Sequence, residues 1–490
     1  MKNYKYIGLF LLSLGLVSCD VDNELDVIEP AMVEEVALNT NGLDFSNYVS
    51  VGASFTSGYT DGALFIAAQE SSFPNILAGK FGTDFTQPLM NDNIGGMVFG
   101  PAVVVEPRLY FNGAGPARLD ATPTTQFGEV ISGPFNNMGI PGAKSFHLGV
   151  AGYGTLNPYF GRMASSPGAT VLGDALAQSP TFFTLSEIGG NDVLGYATSG
   201  GVGVDQTGNF DPATYGGNDI TDPNVFAAVF SDMTNALTAN GAKGVVANVP
   251  YVTSLSYFTT VPHNPIPLDA ATAGALNAGY AAYNGGLSVA QSYAMIDAAE
   301  VAKRTINFVE GQNAVVIIDE DLTDLSALGI PSYRQATAND LLVLTSSSFI
   351  GTLADPSNPT SVNGVGVPLA DQWVLTDTEQ AKVKTATDAY NMTIEAVAAA
   401  NPNIALVDFK GVLQEASTGI QFDEYVMNTS LVMGGLVSLD GVHLTGRGYA
   451  LMANKILAAI DAEFGSNFTT ATGGLAKAGD YTTNYSPSLR

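Results

Sequence analysis

Apolar strand-like runs alternate with helical stretches along most of this 490-residue chain. That alternation predicts an α/β domain, a mostly parallel sheet covered by helices on both faces. Residues 244–250 (GVVANVP) are almost continuously apolar, as a strand buried between two helical layers must be. Hydrophobic residues make up 46% of the chain and charged ones 13%, enough to build a sizeable core. Length alone points to about three domains, but the pattern reads as one α/β domain carrying long insertions.

The elements follow in order. Lys2 and Lys5 precede an apolar run at 7–17, and Leu16-Val17-Ser18-Cys19 comes next. Residues 1–18 therefore read as a secretory signal peptide. The run is shorter than the roughly 20 residues needed to cross a bilayer of about 30 Å. Leu16 to Cys19 resembles the lipobox of bacterial lipoproteins, which implies lipid attachment at Cys19 and a membrane partner through that anchor. Cys19 is the only cysteine, so no intramolecular disulfide can form and stability must come from packing. Residues 19–44 open with Asp20, Asp22, Glu24 and Asp26 and read as an acidic tether. Acidic tethers of this kind resemble surface-export signals of Gram-negative lipoproteins, implying the outer membrane and the cell surface.

The domain is expected over 45–466. Residues 45–51 (FSNYVSV) read as a strand ending at Gly52, 62–79 as helical, and 181–188 (TFFTLSEI) as a strand. An amphipathic helix at 224–240 precedes the strand at 244–250. Residues 271–310 read as largely helical and 314–318 as another strand of the alternation. Thr376-Asp377-Thr378-Glu379 has the Thr-x-x-Glu form of a capping box and opens a helix reaching about 400. A strand at 404–409 and a last helix at 448–464 complete the series. Three irregular stretches rich in Gly, Pro, Asn and Thr read as insertions, near 81–135, 194–222 and 322–372. The first holds an apolar hairpin candidate at 97–105, expected to pack on the domain beside the active-site mouth. The polar tail 467–490 is expected to be peripheral.

The net charge of −28 excludes nucleic acid and anionic membrane surfaces as partners, since both demand basic patches. No cluster in the sequence has metal-ligand spacing and no acidic loop has that of an EF-hand. Neither a metal nor another cofactor is expected.

Chemistry concentrates at two places. The chain holds only three histidines, and a metal-free hydrolytic enzyme needs a base that titrates near neutrality. His443 alone has a carboxylate three residues upstream, Asp440, placed to accept the Nδ1 proton and stabilise the imidazolium. Near the other end, Gly52-Ala53-Ser54-Phe55-Thr56-Ser57-Gly58 delivers Ser54 from a strand into a glycine-flanked turn. That is the carboxyl edge of the sheet, where open α/β folds bind ligands. A serine there can meet a base from elsewhere in the chain.

These blocks, with Asn137-Met138-Gly139-Ile140-Pro141-Gly142-Ala143 and Gly189-Gly190-Asn191-Asp192 between them, resemble in order the conserved blocks of the SGNH (GDSL) hydrolases. The resemblance covers roughly 47–464 and implies a three-layer α/β/α, flavodoxin-like fold. It implies Ser54 as nucleophile, His443 as base and Asp440 as its orienting acid. The backbone N–H groups of Ser54 and Gly142 and the Asn191 amide would form the oxyanion hole. Fixed neutral donors of that kind stabilise the developing charge without reorganisation. Two positions depart from the family pattern: its Asp before the serine is Ala53, and the proline after the histidine is Leu444.

Gly-Gly-Asn-Asp occurs twice. The copy at 189–192 follows an apolar strand, whereas that at 216–219 follows a loop, so Asn191 is preferred and Asn218 reads as a turn residue. Gly133, Gly139 and Gly152 are rivals of Gly142. His147 reads as structural, His263 as a loop residue near the substrate entry, and Trp373 as core. The expected activity is hydrolysis of a carboxylic ester, as an esterase or lipase, through a Ser-His-Asp triad and an acyl-enzyme. The alternatives are an O-acetylesterase acting on polysaccharide and a non-catalytic surface binding lipoprotein on a hydrolase scaffold.

Overall fold

A computed structural model describes residues 35–490. The signal segment and Cys19 lie outside the described residues. The compact unit runs from Leu38 to Arg490. It thus starts before the expected boundary at 45: Asn39 and Asn41 are hydrogen-bonded to Asn467 and to the Phe464 carbonyl.

Five parallel strands form the central sheet: β1 (Tyr48–Gly52), β2 (Asn137–Gly139), β3 (Phe182–Leu185), β4 (Lys243–Ala247) and β5 (Ile404–Val407). Their spatial order is β5-β4-β3-β1-β2. The chain therefore reverses its direction of winding at β1, and a crevice opens between the carboxyl ends of β1 and β3. The α/β class with a parallel sheet is as the alternation of elements predicts.

Side chains alternate between the two faces. Tyr48, Phe182, Val245 and Val407 point to one face, into a cluster with the helices Phe73–Phe81 (α2) and Gly446–Phe464 (α8). Val49, Phe183, Val246 and Ile404 point to the other, against Pro223–Thr238 (α4) and Asp377–Ala400 (α6). Ile456, Leu457 and Ile460 of α8 are fully buried, each contributing roughly 1.5–3 kcal/mol. The capping box of α6 forms in both directions: Glu379 Oε2 accepts from Thr376 N at 2.7 Å, and Thr376 Oγ1 from Glu379 N at 3.4 Å.

Several expectations are corrected. Residues 314–318 do not join the central sheet: Val316–Ile318 pairs antiparallel with Tyr333–Gln335. Both belong to a lobe between β4 and α6 with its own apolar cluster of Ile266, Phe308, Val315, Ile317 and Leu369. The lobe also takes in Ala270–Ser292 (α5) and Ala298–Arg304, with the stretch between them and residues 305–310 outside either helix. The hairpin at 97–105 forms, but Met97 and Val98 alone are buried on it, and Phe99 is 66% exposed. The tail is integral rather than peripheral: Phe468 and Ala478 are fully buried, and the Arg108 guanidinium donates to the Ser486 carbonyl at 2.6 Å. No helix of the described residues is long and apolar enough to cross a membrane.

Candidate active site

Strand β1 ends at Gly52, where a Cβ would lie 2.1 Å from Thr56 Oγ1. Only glycine lets the following turn fold so close. Ser54 opens the short helix α1 (Ser54–Ser57) and is 8% exposed. As the first residue of a helix, it has a backbone N–H without an intrahelical partner. Ala53 stands at the N-cap and has no side chain to cap with. Glu187, just past β3, supplies the acceptor instead. Its Oε1 accepts from Ala53 N at 2.6 Å and Thr56 N at 2.9 Å, and its Oε2 from Thr56 Oγ1 at 3.1 Å. Burial pushes the Glu187 carboxyl up to about 7, against the pull of these donors. Its φ of +49° is rarely adopted by a residue with a side chain and is sustained only by surrounding contacts.

Asp440 Oδ2 lies 2.9 Å from His443 Nδ1. Its Oδ1 accepts from Val442 N and His443 N, both at 2.9 Å, and Oδ2 also accepts from Gly62 N at 2.8 Å. Burial opposes ionisation here, but the imidazole and these donors outweigh it and hold the carboxyl well below the usual range. The turn after Ser54 is stitched to the histidine loop. Thr60 Oγ1 donates to Leu444 O at 2.8 Å, Asp61 N to Ser438 Oγ at 3.0 Å, and Leu439 N to Asp61 Oδ1 at 3.0 Å. Burial pushes Asp61 up to about 7, and the charge of Asp440 adds to it. The Phe55 and Tyr59 rings sit 5.4 and 4.6 Å from the His443 ring. Ser54 and the histidine loop thus share one cleft, and no hydrogen bond joins Ser54 Oγ to His443 among the described residues.

Asn191 opens helix α3 (Asn191–Thr198), and its Nδ2 donates to Ala143 O at 2.9 Å. A carbonyl only accepts, so this bond fixes the amide orientation and leaves a second N–H for a ligand. The buried neighbour Asp192 accepts from Ser145 N at 2.9 Å and Ser145 Oγ at 2.7 Å. Two consecutive residues of α3 therefore pin the loop that follows Gly142. Gly142 itself is exposed at φ +78° and does not line the pocket described below, whereas Ser54 and Asn191 do. Of its rivals, Gly139 is inside β2, Gly133 precedes Pro134 and Gly152 begins a 3-10 turn.

Asn218 is an exposed turn residue. Lys144 Nζ donates to the Gly216 and Asp219 carbonyls, so the second Gly-Gly-Asn-Asp braces the same loop. His147 accepts from Lys144 N through Nδ1 and stacks on Tyr153, and burial pushes it down to about 4. His263 offers its carbonyl to Val315 in the lobe and is not part of the pocket lining. Trp373 is half-buried and stacked on Phe349 at 4.5 Å.

A pocket of about 950 Å³, its open mouth included, runs from Ser54 and Asn191 along the carboxyl edge of the sheet. Its walls are apolar, among them Leu194, Val252, Leu255, Val412, Leu436 and Met452. None of the insertion 81–135 lines this pocket, although Leu109 N donates to Asp61 O at 2.7 Å in the turn bonded to the histidine loop; Leu194 is the one lining residue from the three predicted insertions.

Compared with protein-family models, curated proteins and solved structures, the chain matches none.

Sequence reasoning missed Glu187, read as one more residue of a strand, and Asp192. An acid closing an apolar run just before Gly189-Gly190 was the available signal. It also expected no metal-ligating cluster, yet the fold gathers Glu320, Asp371 and Glu379, whose carboxylate oxygens lie within 4.8 Å of one another.

Proposed function

We propose that this chain is a serine ester hydrolase of the SGNH type, with the flavodoxin-like three-layer fold, acting on esters of apolar acyl chains. The observation that carries the reading is that Ser54 and an oriented Asn191 amide line one apolar pocket whose wall also includes Val442 and Leu444, the two neighbours of the Asp440-paired His443. Strand order supports it, because the pocket begins at the β1/β3 crevice where such sheets place their ligands. Ser54 Oγ attacks the acyl carbonyl and its proton passes to His443 Nε2, with Asp440 stabilising the imidazolium. The Ser54 N–H and the Asn191 amide stabilise the oxyanion. His443 then gives the proton to the departing alcohol, and water, activated by the same base, cleaves the acyl-enzyme. The serine–histidine contact tightens when substrate fills the cleft, as apo sites commonly require. Residues of this chain suffice for every step.

The export signal, the lipidated Cys19 and an outer-membrane or surface location belong to the same proposal. They rest on Leu16-Val17-Ser18-Cys19 and the acidic tether.

A p-nitrophenyl ester series from acetate to decanoate tests the substrate class. Each methylene entering the pocket contributes about 0.8 kcal/mol, or about fourfold in kcat/KM, until the pocket is full. Fluorophosphonate should label Ser54. A profile favouring acetate would support the O-acetylesterase reading, and a folded protein with neither hydrolysis nor labelling would support the binding scaffold.

A further inference from the structure

Away from the pocket, three carboxylates meet from three distant parts of the chain. Glu320 follows the strand Val316–Ile318 of the lobe, Asp371 begins the 3-10 turn Asp371–Trp373, and Glu379 lies in the first turn of α6. One oxygen from each lies within 4.8 Å of the others. Among the ion pairs of the described residues none involves these three. Lys303 and Arg334, on either side of Glu320 in the sequence, are both engaged by Asp319, and Lys384 is engaged by Asp388.

Glu379 is fully buried. The capping box occupies its Oε2, while Oε1 has no hydrogen-bond partner, and neither has the buried Oδ1 of Asp371. A buried carboxylate oxygen without a partner is costly. The surrounding chain is shaped to these groups. Gly201, at φ +87°, passes so close that a Cβ there would sit 1.8 Å from Glu379 Oε1. Glu320 is exposed, Asp371 half-buried and Glu379 buried, so the group opens to solvent on one side.

We infer that Glu320, Asp371 and Glu379 bind a divalent cation, and that the ion is Ca²⁺. The donors are all oxygen, which selects a hard cation. Oxygens up to 4.8 Å apart fit around one centre at the 2.3–2.6 Å of calcium, whereas magnesium at about 2.0–2.1 Å demands a tighter set. The ion ties the lobe to the start of α6 and to the Gly200–Gly201 turn, which is bonded back to α3 through Gly201 N and the Tyr196 carbonyl at 2.9 Å. Its role is structural, since the site is separate from the pocket. Burial and mutual repulsion disfavour three bare carboxylates at this spot, and a bound cation offsets both.

The test uses the full chain after chelation, titrated with CaCl₂, MgCl₂ and NaCl at matched ionic strength, followed by calorimetry and thermal unfolding. One saturable Ca²⁺ site and a Tm that rises with Ca²⁺ are expected, with little response to Mg²⁺. Glu320→Gln, at an exposed position, should weaken Ca²⁺ binding by on the order of tenfold. It should leave the calcium-free Tm unchanged or higher, because a repulsion is removed. Glu320→Gln with Asp371→Asn should abolish the response. Three results would each overturn the inference: no saturable Ca²⁺ binding, equal binding by the double variant, or equal stabilisation by Mg²⁺. A Tm that rises on acidification with no Ca²⁺ effect would also overturn it, because shared protons would then hold the group together.

Discussion

Replacing Glu187 separates two roles that its carboxylate combines, capping the Ser54 turn and titrating in a desolvated place. Glu187→Gln keeps an oxygen for the Ala53 and Thr56 N–H groups and places its amide where Thr56 Oγ1 can accept. A carboxyl raised from 4.5 to about 7 carries roughly 3 kcal/mol of linkage, at 1.36 kcal/mol per pKa unit. The sign follows from proton binding. Between pH about 4.5 and about 7 the folded state holds the proton that the unfolded state has lost, so wild-type stability falls as pH rises through this window. Glu187→Gln lacks this contribution. Its stability relative to wild type should therefore climb by roughly 3 kcal/mol across the window and level off above it. Asp61, also raised to about 7, is common to both proteins and cancels in the difference. Glu187→Ala should instead leave two N–H groups unpaired, costing about 1–3 kcal/mol each at every pH. Urea unfolding of the three proteins from pH 4 to 8 measures this directly. Parallel wild-type and Glu187→Gln profiles would refute the reasoning.

Ser54→Ala should remove ester hydrolysis and fluorophosphonate labelling while changing stability by no more than about 0.5 kcal/mol; a folded variant that still turns over would remove Ser54 from the site. His443→Ala should be nearly as damaging, and the double variant little worse than either, because such residues act as a unit. Asn191→Ala should cost on the order of 10²–10³ in turnover, whereas Asn218→Ala should be neutral; steady-state kinetics showing the reverse order would assign the oxyanion role to the other copy. Cys19→Ser should release the protein from membranes in a fractionation experiment without changing its rate, and continued membrane association would point to a different anchor.

Much of the sheet and of the candidate site was legible because it is local. An apolar strand, a glycine turn and a serine are contiguous in 48–58, and Asp440 is three residues from His443. The capping box at Thr376 is likewise a short-range pattern, and it forms. What escaped notice is non-local or too short to leave a period. Strand β2 has only Asn137, Met138 and Gly139 and is recognisable only from its pairing with β1. The strand at 314–318 has the apolar composition of a core strand, but nothing in it records that its partner is Tyr333–Gln335 rather than β4 or β5. Glu187 caps a turn more than a hundred residues away, so no spacing rule connects it to Ala53. The tail looks polar because its few buried anchors, Phe468 among them, are scattered between exposed threonines and glycines.

The stitching of residues 60–62 to 438–444 also governs when the cleft exists during biosynthesis. The ribosome releases the Ser54 turn among the first parts of the domain and the histidine loop among the last. Gly62 N cannot find Asp440, nor Thr60 the Leu444 carbonyl, until nearly the whole domain has been made. A nascent or truncated chain ending before Asp440 therefore carries Ser54 without either Asp440 or His443. On the proposed function, catalytic competence is therefore a property of the completed fold and of no shorter piece of it.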